Sequence, residues 1–582
     1  MNTTNISKRL FQWLDQHALL LLASFLVAFI PIYPKLPLFD LIPGYLVRVR
    51  LEDFFVLLAV AVWLAQVIRK KISWRTPVTF AIFTYALVGL LSSISAVVIT
   101  QTVPAELLHI GKTMLHFFRY LEYFSILFIV VASVKTTQHL KIFLAIIAIT
   151  VLSVTIYGYG QRNWYWPVYS TMNREFSKGI RLYLTEHARV QSTFGGHYDL
   201  AAYLVVITPI LLAGFYLLKN KSKWLLLLVF FAAYWLLIST ASRSSYAAFA
   251  IAIEVVILLA GYLLRQSWQR RLWWISSQSI IIGVICVVLL VNFGEDLSER
   301  IVQSIEGVPV VNTIYKESAT RSAELKTTVI NTLISKRNQD KIEAAKPTPP
   351  PNGISVEDAE VLVASDTRPT PARPSDVYVD VPVYETVATV SADGTTSDVT
   401  IEKDRTYSSS AQKYGLSLAI RLDALWPRAL AGFYTNPFLG SGYATLTKEV
   451  TAQFTEAEST DNNFLRTLGE TGLLGFITFY GTVWLSLVIA WRLLKNKQLE
   501  PIKQVFVIAF IGSTCGLLVN AVLIDVFAAS KVAFTYWAFA GLVLAIQQME
   551  GEFHFSFDYL NRIPWFNQGR KPTQLRQKRK KN

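Results

Sequence analysis

The sequence predicts an all-α polytopic membrane protein of about twelve transmembrane helices, with a large external loop between the ninth and the tenth. Three observations lead there. The 582 residues are 53% hydrophobic and only 16% charged. The apolar residues gather in long runs, and a hydrocarbon core of about 30 Å needs roughly 20 residues of helix to cross it. The basic residues fall in alternate connections between those runs, as the positive-inside rule expects of a multi-pass chain.

The runs are 18–32, 54–68, 78–99, 120–134, 140–157, 200–218, 224–238, 246–264, 274–293, 473–494, 505–524 and 527–546. Lys8 and Arg9 precede the first run, as in a signal peptide, but no small-residue cleavage site follows, so it is expected to be retained as a span. Counted from an inside N-terminus, five basic segments share one side. They are Arg69 to Arg75, Lys219 to Lys223, Arg265 to Arg271, Lys495 to Lys503, and the tail from Arg570 to Lys581. Both termini are therefore expected in the cytoplasm. The net charge of +15 then reads as membrane topology and a membrane-surface anchor in the tail, with no nucleic acid as partner. Cys286 and Cys515 fall within predicted spans. They offer neither a disulfide framework nor a metal site, and no metal or cofactor is expected.

This gives a membrane domain over 1–293, an external loop over 294–472, a second membrane portion over 473–547 and a basic tail over 548–582. Two further external connections, 34–50 and 100–118, are short, and an aromatic-rich one covers 158–197. Within the large loop, 295–345 mixes charged and apolar residues and could form one or two amphipathic helices. The stretch 346–410 contains "KPTPPPNG" and "TRPTPARPSD" and lacks helical periodicity, which predicts a flexible or weakly β insertion. Helical patterning returns over 416–472, interrupted by turns at Asn436-Pro437 and Gly440-Ser441-Gly442.

Three polar groups sit at the outer ends of spans. Arg243, in "LISTASRSSYAAFA", lies in a connection of a few residues beside Ser242, Ser244 and Ser245. A guanidinium with hydroxyl neighbours at a helix start suits a phosphate or diphosphate, although Arg at such a place also snorkels to headgroups. Arg189 and His197, in "HARVQSTFGGHYDLAAYL", precede the sixth span, where Asp199 suits a helix N-terminus. The third group is "ESTDNNFLRTLGETGLLGFITFYG", from 458 to 481, in which five polar residues crowd the mouth of a span. Asp461 is expected near the N-cap of a helix that begins at about Asn462. Leu465, Leu468 and Leu473 would form one broad face, and Arg466 and Glu470 have the i, i+4 spacing of an ion pair. Gly469, Gly472 and Gly475 would let a neighbouring helix approach closely. One cap does not account for five polar residues, and a hydrated cavity is the expected reason.

"STASRSSYAAF", then "NPFLGSGY", then "DNNFLRTLGETGLLGF" together resemble the O-antigen ligase and O-antigen polymerase superfamily of bacterial membrane proteins. "RVQSTFGGHYDLAAYLVVITPILLAG" is similar to its upstream segment, and "VRVRLEDFFVLLAV" to the start of its second span. The likeness covers most of the chain outside the insertion. It implies an integral-membrane glycosyltransferase of GT-C type, working without a metal ion on the external, periplasmic face of the cytoplasmic membrane. Such an enzyme moves a glycan from an undecaprenyl-diphosphate carrier to a lipid or glycan acceptor, with inversion, in the biosynthesis of lipopolysaccharide or exopolysaccharide.

By the same resemblance, Arg243 would engage the diphosphate. The segment at 461–465 would supply a base, with Asp461 where many ligases carry His and Asn462 at their Asn. That departure leaves a polymerase open beside a ligase. Arg189, His197, Ser242, Ser244 and Arg421 complete the expected substrate-binding set. A sugar hydroxyl attacking an anomeric carbon needs a proton acceptor, a role open to Asp461, and the departing diphosphate needs fixed positive charge, which suits Arg243 and Arg189. The competing expectation is a flippase or other polysaccharide transporter, which would show paired charges deep within spans and repeated halves with broken helices.

Overall fold

The computed structural model describes residues 3–41, 48–172, 176–184, 188–294, 297–298, 354–355, 383–390, 396–403, 416–446, 459–496 and 498–551. The expected amphipathic helices of 295–345, most of the insertion and the basic tail lie outside the described residues.

Each predicted apolar run is a helix. The first nine are α1 (Thr3–Ile32), α2 (Leu51–Ile68), α3 (Thr79–Val98), α4 (Leu107–Ser133), α5 (Thr137–Trp164), α6 (His197–Leu217), α7 (Lys223–Ser239), α8 (Arg243–Leu264) and α9 (Trp268–Phe293). Two short helices, α10 (Leu416–Ile420) and α11 (Trp426–Thr435), flank a π-helical turn at Arg421–Leu425. The last three are α12 (Asn463–Lys495), α13 (Pro501–Asn520) and α14 (Ser530–Met549). Among the described residues eleven helices are long and apolar enough to cross a membrane, and α7, at 17 residues, is a shorter apolar helix. The chain is a polytopic, all-α membrane protein. Short strands decorate it. β1 (Pro37–Asp40) pairs with β2 (Arg48–Arg50) antiparallel, and β3 (Leu182–Tyr183) pairs with β4 (Ile354–Ser355) parallel. In the insertion, β5 (Val383–Val390) and β6 (Thr396–Lys403) form an antiparallel hairpin.

The core is built around α6, α13 and α14. α13 packs on α6 and α8, α14 on α4, and α12 on α3 and α11. α6 is apolar all round, as a fully enclosed helix must be, and 89% of its apolar window is buried. α9 is at the edge, with 11% buried.

One boundary differs from the sequence reading. The segment 100–118 was expected as a loop, but α4 already begins at Leu107. Its polar residues Lys112 and Thr113 are buried against the bundle, so their polarity marks an inward face and not a connection. The expected leucine face of α12 is turned outward. Asn463, Thr467, Glu470 and Thr471 are buried, whereas Leu465 and Leu468 are half-buried and Leu473 is exposed. In a membrane the apolar side faces lipid, and the polar side turns inward.

α12 is broken at Gly472, which has φ 65° and ψ −167°. The break frees the carbonyls of residues 469 and 470 and the amides of 473 and 474. The turn after α11 takes up all four. Ser441 N donates to Gly469 O at 2.9 Å and Gly442 N to Glu470 O at 2.9 Å, while Leu473 N donates to Pro437 O at 2.9 Å and Leu474 N to Phe438 O at 3.2 Å. Irregular backbone at membrane depth persists only when protein satisfies it in this way. Gly469 permits the approach, since a Cβ there would lie 2.6 Å from Ala429 O. At Gly475 the nearest atoms that a Cβ would meet are those of Thr471, on its own helix.

Candidate functional site

Hydrogen bonds draw several helix ends to one end of the bundle. Asn520, at the end of α13, bonds Ser245 in the first turn of α8 at 3.1 Å. Asn463 N, opening α12, donates to Ala521 O at 2.8 Å. Lys531, in the first turn of α14, donates to Pro31 O of α1 at 3.2 Å, to Tyr33 O at 2.6 Å and to Thr193 O, just before α6, at 2.8 Å. This end gathers every residue expected at the site.

Asp461 is not the cap of α12. The N-cap is Asn462, whose side chain accepts from Leu465 N at 3.0 Å. Asn462 is buried and holds the helix start. Asp461 has left-handed backbone, φ 50°, a conformation Asp and Asn tolerate better than most residues. This turns its carboxylate away from the helix axis towards Arg421, with Oδ2 2.8 Å from Nη2. Ser459 Oγ donates to Oδ1 at 2.8 Å. The Asp461 side chain keeps 35% of its surface exposed. Burial pushes its carboxyl above the ordinary aspartate range, the Arg421 charge opposes this, and Asp525 adds to the rise. Arg421 lies on the π-helical turn and also reaches Leu523 O at 3.4 Å. Such turns recur at functional sites.

Asp525 was not anticipated. It sits in the short link between α13 and α14, and sequence gave one signal: a lone acid between two apolar runs. Its carboxylate accepts from Ser459 Oγ, Thr460 N, Asn462 N and Arg466 Nη1 at 2.9, 2.8, 3.0 and 3.0 Å. It pins the whole polar stretch. The expected pair is present, with Arg466 Nε 3.4 Å from Glu470 Oε1, and Glu470 also accepts from Ala444 N at 3.1 Å.

Arg189 and His197 do come together. Arg189 Nη1 is 2.6 Å from His197 Nε2 and 3.4 Å from the Tyr198 hydroxyl. Among the described residues Arg189 has no carboxylate in ion-pair range, unlike Arg421 and Arg466. Asp199, in the first turn of α6 as expected, pairs with Lys35 at 3.4 Å. Burial pushes the Lys35 ammonium below the usual lysine range, and Asp199 opposes this.

Arg243 is the first residue of α8. Ser242 is buried and donates to Ser245 Oγ at 3.0 Å, so its hydroxyl faces inward, while Ser244 is half-buried. Arg119 of α4 donates through Nη1 to Asp53 at 2.7 Å and to Glu122 at 2.9 Å. Asp53 belongs to the first turn of α2, so this triad lies at a helix end and not at mid-membrane. The acid deeper in a span is Glu254 of α8, whose two oxygens accept from Ser279 of α9 at 3.0 and 2.9 Å.

Below the Lys531 junction an apolar crevice runs between α1, α5, α6 and α14, lined by Leu26, Ile30, Ile147, Ile207, Phe534 and Phe539. No cluster of metal-ligating side chains occurs among the described residues. No family model matches the chain, and no curated protein matches its sequence.

Proposed function

We propose that this protein is a membrane glycosyltransferase of the O-antigen ligase or polymerase type. It would move a glycan from a polyprenyl-diphosphate carrier, undecaprenyl diphosphate in bacteria, to a lipid or glycan hydroxyl, with inversion and without a metal ion. One observation carries this reading. A part-exposed carboxylate, Asp461, is paired with the Arg421 guanidinium and linked through Ser459 to Asp525 and its partner Arg466, at the end of an apolar helical bundle. Transfer from a lipid diphosphate asks for that combination: a base for the sugar hydroxyl, cations for the leaving group and a greasy path for the carrier.

In the proposed step the acceptor oxygen bonds to the anomeric carbon as the bond from that carbon to the diphosphate oxygen breaks. The hydroxyl proton passes to Asp461, and the electron pair leaves with the diphosphate. Arg189, Arg243 and Arg421 would stabilise that charge, with His197 and Tyr198 orienting Arg189. The apolar crevice would accommodate part of the carrier. Elevation of the Asp461 carboxyl by burial strengthens it as a base.

The site would face the periplasm across the cytoplasmic membrane, with both termini inside. Cysteines placed by Ser222→Cys and Asp380→Cys test this. Impermeant reagent on intact cells should label 380 and spare 222, and the reverse would overturn the orientation.

The decisive assay supplies a lipid-diphosphate glycan and acceptor to the purified protein in nanodiscs. Expected are a glycosidic product of inverted configuration, free polyprenyl diphosphate and no loss of activity in chelator. The break in α12 favours the transporter reading, because transporters use discontinuous helices. Translocation of a labelled glycolipid across liposomes, with no transfer product in nanodiscs, would establish that reading instead.

A further inference from the structure

We infer that Lys531 is a positioning residue for the Arg189–His197 pair, tying the chain between them to the ends of α1 and α14; the inference rests on the reading of Arg189 as a diphosphate ligand. Lys531 is fully buried, at 0% exposed. It lies in the first turn of α14, where the helix dipole disfavours a cation. A buried ammonium at such a place persists only if its donors and charge are answered.

Both are answered. Its three acceptors, the carbonyls of Pro31, Tyr33 and Thr193, match the three N–H groups of an ammonium. Pro31 and Tyr33 carry the carbonyls that the end of α1 leaves without helical partners. Phe194 presents its ring 4.7 Å from Nζ. Among the described residues no carboxylate lies within ion-pair distance of Lys531. Glu52, Lys35, Arg50 and Asp199 are the charges that act on it. Glu52 is 1% exposed, and both its oxygens are buried with no hydrogen-bond partner among the described residues. Its nearest cation is Arg50, at 3.6 Å. The three carbonyls and the Phe194 ring are the groups that answer the Lys531 ammonium directly.

The consequence falls on the chain from Arg189 to His197. Thr193 O is held by Lys531, and Thr193 Oγ1 donates to Pro31 O at 2.6 Å. Gln161 donates to Ser192 O at 2.9 Å, and Lys35 grips Asp199. Lys531 is the only one of these ties that joins the segment to α1 and α14 together. Arg189 and His197 stand at its two ends. Without the ammonium, Tyr33 O and Thr193 O lose this donor, Pro31 O keeps only the Thr193 hydroxyl, and the segment must shift to find water. A displacement of about 1 Å at a charged ligand is enough to cost roughly 100-fold in function.

The test uses the full chain in nanodiscs as wild type, Lys531→Met, Lys531→Arg and Arg189→Ala. Amide hydrogen exchange over residues 189–197 is read beside inhibition of transfer by inorganic pyrophosphate. Lys531→Met should speed exchange in that segment at least tenfold and weaken pyrophosphate inhibition about tenfold, with KM for the donor rising more than kcat falls. Lys531→Arg should recover part of both. Should Lys531→Met fail to fold, Lys531→Gln, which keeps two donors and removes the charge, should move both readouts in the same direction by less. Unchanged exchange over 189–197 in a folded Lys531→Met or Lys531→Gln variant overturns the inference. Faster exchange combined with an Arg189→Ala variant that keeps full pyrophosphate sensitivity leaves the positioning role standing and overturns the diphosphate role of Arg189.

Discussion

Asp461→Asn separates chemistry from architecture at the point where they meet. The capping bond to Leu465 N comes from Asn462, so it survives the change. The left-handed backbone at φ 50° suits Asn as well as Asp. Ser459 Oγ can donate to an amide oxygen as it does to the carboxylate. The loss is one ion pair, to Arg421, at a side chain 35% exposed. Such pairs contribute about 0–1 kcal/mol, so the variant should be less stable by no more than about 1 kcal/mol. Burial, the largest influence on this carboxyl, raises its pKa, which makes the sign opposite to an ordinary stabilising carboxylate. Its contribution to stability is fully present below the unfolded value and fades as pH rises through the folded one, so the Asn variant should lose least, or gain, at alkaline pH. Turnover should behave differently, falling by roughly 10²-fold or more with the base removed. The acid limb of the wild-type pH–rate profile should lie above an ordinary aspartate's and should vanish in the variant. Transfer kinetics in nanodiscs alongside thermal unfolding would measure this. A stable Asn variant with full turnover would leave Asp461 as a tether for Arg421 and refute the argument for a base.

Three further outcomes follow from the same geometry. Arg243→Ala should abolish transfer at normal expression, and Arg243→Lys should retain little, because a point charge replaces a planar multi-donor fork; near wild-type activity in the Ala variant would make Arg243 a headgroup anchor. Asp525→Asn removes the charge that Arg466 and three other donors share, and should cost about 3 kcal/mol by thermal or denaturant unfolding. Gly472→Ala forces a side chain into φ 65° and against the Phe438 carbonyl, so it should cost at least ~2 kcal/mol and lower the yield of monodisperse protein in detergent.

The spans were legible because solvent selection acts on whole runs of residues. The run expected to begin at Leu473 does start its regular helix there, one residue past the break at Gly472. The start of α4 was not legible. Lys112 and Thr113 read as loop residues in a linear scan, and only the neighbouring helices make them an inward face. Local pairings such as Arg466 with Glu470 follow from helical spacing and were found. Asp461 with Arg421, Lys35 with Asp199 and Lys531 with Pro31 join distant parts of the chain, and no spacing rule announces them. The exchange of roles between Asp461 and Asn462 has a smaller cause. Both residues cap helices well, so composition could not choose between neighbours, and the backbone at position 461 decides.

The five polar residues at the mouth of α12 can now be told apart by what each side chain or amide already does. Ser459 donates to both Asp461 and Asp525, and Thr460 is buried with its amide on Asp525. Asn462 caps the helix. Asn463, fully buried, accepts from Phe527 N at 3.0 Å and donates to the Tyr480 hydroxyl at 3.0 Å, joining α12 to the link before α14. Four of the five are therefore engaged in holding two helix ends and a loop together. Asp461 differs in kind. Its bond to Ser459 helps to orient it, its partner Arg421 arrives from a separate helical segment on a π-helical turn, and it keeps exposed surface. A carboxylate held by a guanidinium from another element can exchange that partner for a substrate anion without unfolding the helix behind it. The polarity of the whole stretch thus serves to fix one carboxylate at the edge of the bundle, and position 461 is where substitution should divide activity from stability most cleanly.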